Sequence, residues 1–371
     1  MRILIINTVA FRLNGITSVI MNYFRNMDCK GMQIDFLSPN EMDENLKEEI
    51  HKMGANIYCV PRKSRVLNYM RKIYGLMKKN RYDIVHVHGN SAMMIIDFLP
   101  AVMAKIPIRI AHSHNTTCDH VDEHKMLNPI FKHCCTHRFA CGKEAGEWLF
   151  QDKPFEIIPN GIDLKAFGYD GRIREKYRNF IQAGNKVVIG YVGNFNRQKN
   201  HGFLLDLFAE LMATDKDYLL LLIGEGHMLA SMKEKAHDLG IDGSVVFLGK
   251  TSEVQCYLQT MDVFVLPSLH EGMPLVLVEA QASGLPCIVS DVVTEEANLT
   301  SSIRYVPLNR TEAWVKAIRE TRERALKEDR ESLSEKWQGM IREAGYDIMS
   351  GARRLEGVYW EYYQLINKGE R

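Results

Sequence analysis

Short, continuously apolar runs alternate with helix-like segments along the whole chain, and the alternation starts afresh near its midpoint. In the first half the runs cover residues 2–7, 34–37, 57–60, 84–87, 108–111, 138–141 and 156–158. In the second they cover 186–192, 218–223, 244–248, 263–266, 287–290 and 304–306. Strands with one wet face alternate apolar and polar residues; most of these runs are continuously apolar, as parallel strands buried on both faces are. Parallel neighbours need a crossover, and the helix-like segments supply it, so the rhythm predicts right-handed βαβ units and doubly wound sheets. The restart can be read directly: Lys186 to Asn194 echoes Arg2 to Asn7, each a strand entering a polar loop before a helix. Two Rossmann-like α/β domains with a cleft between them are expected, over 1–165 and 166–351. The turn-rich stretch 159–163 and the charged segment 172–178 mark their junction.

A length of 371 residues is too great for one ordinary core and suits two. With 46% apolar and 25% charged residues the chain has a soluble globular profile, and a formal charge of +1 argues against a nucleic-acid binder. The opening residues read as a first strand rather than a secretion signal, and no stretch approaches the roughly 18 apolar residues of a membrane span. A cytoplasmic protein is expected. Eight cysteines in so long a chain do not suggest a disulfide scaffold. The group His133, Cys134, Cys135, His137 and Cys141 lacks the paired spacing of a zinc site, so buried thiols are expected there.

The most informative segment for function is 267–279, Pro-Ser-Leu-His-Glu-Gly-Met-Pro-Leu-Val-Leu-Val-Glu. The run before it reads as a strand, and 275–283 reads as a short helix closed by Gly284, with Pro286 beyond. Glu271 then sits in the loop at the carboxyl end of a strand and Glu279 one turn inside the next helix. Ligands of open α/β sheets bind along that edge, and free amides at a helix start favour an anion such as a diphosphate. Two carboxylates beside an anion site make sense for a nucleotide sugar: one accepts bonds from sugar hydroxyls, the other from the ribose diol. An early glutamate that only complements the helix dipole is the plainer explanation for either residue alone.

Positive groups follow the first strand of the second half, in the segment 193–201. There Arg197 and Lys199 can reach a diphosphate above the strand ends; alone, such a loop would read as a solvated basic turn. The Asp215-Lys216-Asp217 segment is the other route to a diphosphate, through a metal. It precedes its strand, which puts it at the edge away from the ligand, so a metal-free site is expected. No G-x-G-x-x-G follows either first strand, which argues against a dinucleotide-dependent oxidoreductase. Histidines end two strands of the first half, at His86 and His88 and at His112 and His114. A histidine at a strand end is more often structural than catalytic.

Together these motifs resemble the retaining family 4 glycosyltransferases of the GT-B fold, whose E-x7-E region matches Glu271 to Glu279. The likeness spans nearly the whole chain and is most specific over 190–290, where loop, strand, E-x7-E and Ala282-Ser283-Gly284-Leu285-Pro286 occur in family order. Lys199 matches the family lysine, whereas the usual arginine position is Asn194, with Arg197 the candidate to replace it. The loop at Gly224 to Gly226 also matches. The resemblance implies a donor site of Gly15, Asn194, Arg197, Lys199, Gly272, Met273, Pro274, Leu275 and Glu279, with His114, Glu271 and Lys199 as the catalytic group and no metal or other cofactor. His114 with Asn115 falls on the motif whose histidine meets the donor sugar, and Gly15 on the loop that approaches the diphosphate or the acceptor. The last helix, 352–371, rich in apolar aromatics, should cross back onto the first domain.

Residues 111–115 and 290–296 are most similar to bacterial capsular and exopolysaccharide enzymes. That likeness implies a hexosyltransferase-type enzyme that moves a sugar with retention from a nucleotide sugar, UDP preferred, to a lipid-linked glycan. The alternatives are a catalytically degenerate sugar-nucleotide-binding partner, or another GT-B enzyme such as an epimerase or a phosphorylase. Residues 62–81 carry eight basic side chains and no acid, with apolar positions at helical spacing. They form either a core-facing helix with a solvated back or a dock for the anionic inner face of the plasma membrane. The mixed charges of 319–336 read as one exposed helix.

Overall fold

The computed structural model describes residues 1–12, 14–39, 42–62 and 66–368. The chain divides into two compact units, Met1–Gly161 with Ile348–Arg371, and Ile162–Asp347. It passes from one to the other inside the turn-rich stretch 159–163.

The first unit holds β1 (Arg2–Asn7), β2 (Gln33–Ser38), β3 (Asn56–Cys59), β4 (Ile84–Gly89), β5 (Ile108–Ser113), β6 (His137–Ala140) and β7 (Glu156–Ile157). They form one sheet in the order β3-β2-β1-β4-β5-β6-β7, and its pairings are parallel. The second unit holds β8 (Val187–Val192), β9 (Tyr218–Ile223), β10 (Val245–Gly249), β11 (Val263–Leu266), β12 (Cys287–Ser290) and β13 (Ile303–Val306). Their order is β10-β9-β8-β11-β12-β13, again parallel. Each apolar run in the sequence became a strand, with ends moved by a residue or two. The central runs are buried over almost their full length, Ile84–Gly89 and Tyr218–Ile223 completely, as strands covered on both faces must be.

In each sheet the strand order reverses once, between β1 and β4 and between β8 and β11. A doubly wound sheet opens its ligand crevice beyond the carboxyl ends of the strands at such a point. Two glycines hold the second crevice tight. Gly224 and Gly226 adopt φ of +144° and +155°, and an added Cβ would lie 2.0 Å from the Gly193 carbonyl oxygen and 2.3 Å from that of Phe195. The Phe195 amide donates to the Glu225 carbonyl at 2.7 Å, so the loops after β8 and β9 form one backbone-bonded layer.

The last helix, Ile348–Asn367, belongs to the first unit and packs against the helix Gly15–Asn26. Its Tyr359 bonds His86 at 2.6 Å, its Tyr362 bonds Glu156, and Trp360 lies over Gly31. Burying aromatic side chains at roughly 1.5–3 kcal/mol each accounts for its return to that sheet.

Charges departed furthest from expectation. The segment 172–178 is part of a helix, Gly171–Phe180, whose Arg174 and Arg178 both pair with Asp262, at 2.5 and 3.2 Å. The segment 319–336 spans two helices, Thr311–Ala325 and Arg330–Glu343. Arg330, at the start of the second, donates to the carbonyls of Leu258, Met261 and Ser283. It satisfies the open end of the helix Val254–Thr260 and is no surface charge. In the basic stretch 62–81, Arg62 pairs with the buried Asp97 at 3.4 Å and bonds the Met93 carbonyl. Lys63 and Arg65 lie outside the described residues. Within the helix Val66–Asn80, Tyr69, Ile73 and Met77 face the core, while Arg71, Lys72, Lys78 and Lys79 are exposed.

Candidate active site

The loop that leaves β8 makes a single 3-10 turn, Arg197–Lys199, capped by Asn196, whose side chain accepts from the Lys199 amide at 3.1 Å. That turn aims Lys199 at the neighbouring loop, which leaves β11. Its Nζ donates to Glu271 Oε1 at 2.5 Å, with only 17% and 7% of the two side chains exposed. An ion pair so far removed from water gives up much of its Coulomb energy to desolvation. Its position between the two loops of the switch point is where a charged ligand would make use of it. Arg197 is exposed and makes no ion pair among the described residues, and Asn194 is exposed as well.

Gly272, Met273 and Pro274 lead into the helix Leu275–Ala282, which starts at Pro274 with no side-chain cap. The amides of Leu275 and Val276 are left for a ligand or solvent, while that of Leu277 donates to the Pro274 carbonyl at 3.0 Å. Glu279 lies one turn inside, partly covered, and burial pushes its carboxyl up to about 7. No described side chain offers it a cation.

Three groups near this site carried no signal in the sequence. The Tyr191 hydroxyl, the Ser268 hydroxyl and both ring nitrogens of His201 are buried without a hydrogen-bond partner. His201 stacks on Phe195 at 3.9 Å, and burial with the charge of Lys199 holds it down to about 4. Gln198, between the two basic residues, ties the loops together: its amide donates to the His270 carbonyl at 2.8 Å, and its own carbonyl accepts from the Leu269 amide at 2.8 Å. A glutamine in a polar loop looks like any other until its partner is known.

Asp215 and Asp217 precede β9, at the sheet edge away from these loops. Asp215 is taken by Arg322 at 3.1 Å and by the Asp217 amide.

In the first unit, Gly15 opens the helix after β1 behind the cap Asn14, and an added Cβ there would meet nothing within 4 Å. His114 directly follows β5 and belongs to a stack of four imidazoles along β4 and β5. His86 Nε2 lies 3.2 Å from His112 Nδ1, and His88 Nδ1 lies 2.8 Å from His114 Nε2. Burial drives His86, His88 and His112 well below the ordinary histidine range, with neighbouring rings adding to it, and takes His114 down to about 4. The stack is neutral at pH 7. Ligand atoms of His86, His88 and His112 lie within 4.8 Å of one another. The rings of His86 and His88 are 27° from parallel, those of His86 and His112 only 7°. Tyr359 engages one end of the stack at His86, and His114 pairs with His88.

Two parallel sheets, each with its crevice loops at a reversal of strand order, define a two-domain, doubly wound α/β protein, with a lysine–glutamate pair beside an uncapped helix start in its second unit. Residues 13–166 match the family described as Glycosyltransferase Family 4, and 173–338 match Glycosyl transferases group 1. The chain is 34% identical over 365 residues to the EpsF protein of Bacillus subtilis (strain 168), covering 93% of each. It is 32% identical over 238 residues, 59% of this chain and 60% of the other, to an Escherichia coli enzyme named UDP-Gal:alpha-D-GlcNAc-diphosphoundecaprenol alpha-1,3-galactosyltransferase. Among solved structures, Anabaena HepE in complex with UDP superposes with a TM-score of 0.75 at 14% identity, over 97% of this chain and 100% of that one. The chain belongs to the family 4 glycosyltransferases of the GT-B fold.

Proposed function

We propose that this glycosyltransferase moves a sugar from a UDP-sugar to a hydroxyl of a lipid-linked glycan, with retention and without a metal, in the synthesis of a surface polysaccharide. The observation that carries the reading is the half-buried Lys199–Glu271 pair at the switch point of the second sheet, beside the uncapped start of the helix Leu275–Ala282. When the anomeric bond breaks, negative charge collects on the departing diphosphate. Lys199 and the helix amides meet that charge, and their attraction grows toward the transition state, which is what accelerates the step. Glu271, next to Lys199, accepts from sugar hydroxyls, and Glu279, deeper along the helix, from the ribose diol. Gly272, Met273 and Pro274 line the approach. His114 and Gly15 take their roles, toward the sugar and the diphosphate, from the family resemblance.

UDP is favoured because the E. coli relative is named for UDP-Gal and HepE for its UDP complex. The same relative, named for a diphosphoundecaprenol-linked sugar, supports a lipid-linked acceptor. Such an acceptor lies at the cytoplasmic face of a membrane, and the four exposed basic residues of the helix Val66–Asn80 supply an attraction of about 1 kcal/mol each near anionic lipid.

The test is direct. EDTA-treated protein is titrated calorimetrically with UDP, GDP and ADP, and the product made from an α-linked donor is examined by proton NMR. UDP should bind best, turnover should persist in the chelator, and the product should be α-linked. Loss of activity on chelation with recovery in manganese, or a β-linked product, would overturn the mechanism. The arginine absent at Asn194 leaves a second reading, a partner protein that binds sugar nucleotides; such a protein would bind UDP yet release none from any donor.

A further inference from the structure

We infer that Gln198 is a positioning residue for the transfer, holding Glu271 in place when Lys199 turns to the diphosphate. The inference rests on the reading of Glu271 as the sugar-binding carboxylate. In the free protein the two charges satisfy one another: Lys199 Nζ sits 2.5 Å from Glu271 Oε1. A diphosphate arriving beside Lys199 carries more negative charge than one carboxylate, so the ammonium must be shared or given up. Glu271 would then be a covered carboxylate that has lost its cation, on a loop reached through Gly272 and free to swing toward solvent.

Gln198 is placed to prevent that swing. Its backbone carbonyl accepts from the Leu269 amide at 2.8 Å, and its side-chain amide donates to the His270 carbonyl at 2.8 Å. The same Nε2 lies 3.5 Å from Glu271 Oε2, a contact with room to shorten once Oε1 is released. Residues 198 and 199 thus run alongside 269 to 271 as a short ladder, with a neutral rung next to the charged one. A neutral amide does not follow the diphosphate. It keeps the carboxylate at hydrogen-bonding distance from the sugar through the moment when the lysine is drawn away.

The isosteric change Gln198→Met removes the amide donor while leaving the backbone bond to Leu269. It is compared with Glu271→Gln and with the double variant. The assays are UDP release from UDP-glucose, UDP-galactose or UDP-N-acetylglucosamine, whichever wild type turns over fastest, calorimetry with UDP, and melting temperature. A displacement of the order of an ångström in a positioned group costs up to about a hundredfold in rate. Gln198→Met should therefore lower kcat by about tenfold or more, with the UDP dissociation constant changed less than about twofold. The double variant should be no slower than Glu271→Gln alone, because a residue acting through Glu271 has nothing further to lose. Wild-type kcat in Gln198→Met, losses that multiply in the double variant, or a drop in UDP affinity as large as the drop in kcat would each overturn the proposal. If Glu271→Gln itself turns over normally, the sugar-side role of Glu271 fails first; normal turnover in Gln198→Met alone sinks only the positioning role.

Discussion

At the scale of single residues, Lys199 and Glu279 give the sharpest expectations. Lys199→Ala should reduce turnover by about a hundredfold or more while weakening UDP much less, since the ammonium is needed most as the leaving group departs. Arg197→Ala should do the same only if that exposed guanidinium folds over the diphosphate in place of the arginine missing at Asn194. Steady-state kinetics beside UDP calorimetry decide both, and near-normal turnover in Lys199→Ala would remove the proposed leaving-group site. Glu279 carries a pH signature. Its carboxyl is held up to about 7 by burial, and in the proposed role it would accept from both ribose hydroxyls only when ionised. UDP should therefore bind more tightly as pH rises from 6 to 8, with proton release visible as a buffer-dependent binding heat. The stability effect has the opposite sign. Between the unfolded value near 4.5 and about 7 the folded state keeps a proton that the unfolded chain has lost, so this group's contribution falls as pH rises. Glu279→Gln should bind UDP more weakly yet melt higher than wild type at pH 8, with little difference at pH 4. A variant that lost affinity and melting temperature together would show the carboxylate to be a structural prop.

At the scale of elements, β4 and β5 are joined by more than their ladder. Four imidazoles stacked along them, with Tyr359 at one end, bond the strands to each other and to the last helix. All four titrate below the ordinary value near 6.5 because they are buried. The unfolded chain therefore takes up protons first as pH falls, and the stability present above about 6.5 is progressively lost toward pH 4. Urea midpoints should drop between pH 7 and pH 5, and the drop should shrink in a His86→Gln, His112→Gln variant. An equal drop in that variant would mean that other groups drive the acid sensitivity.

At the scale of the whole molecule, each unit carries its own reversal of strand order, and the last helix closes the first unit after the chain has built the second. Among the described residues no helix is long and apolar enough to cross a membrane. The proposed lipid-linked acceptor and the exposed basic residues of the helix Val66–Asn80 together make vesicle binding a test of the proposed function. Sedimentation with phosphatidylglycerol vesicles should be strong at low salt and weak at high salt, and a Lys72→Glu, Lys78→Glu, Lys79→Glu variant should lose it with its fold intact. Binding that survives both would point to a different face.

By itself the sequence determined the rhythm of parallel strands, the two domains, the helix after Glu271 and the loop holding Lys199. Each of these is written in contiguous residues: an unbroken apolar run, a glycine after a helix, a basic turn after a strand. Only the tertiary structure decided which charges meet. Lys199 finds Glu271 because β8 and β11 are neighbours in the sheet, although they are far apart along the chain. Arg62 and Arg330 lay in stretches that read as solvated or exposed helix, and Arg174 in the charged segment of the junction; each is drawn to a carboxylate or to open helix carbonyls brought in from a distant segment. The four histidines became one stack for the same reason, since β4 and β5 pair in register with His88 against His112. Local patterns encode the elements, whereas the partner of a polar side chain depends on the order in which strands assemble, and that order is set by the packing of the whole sheet.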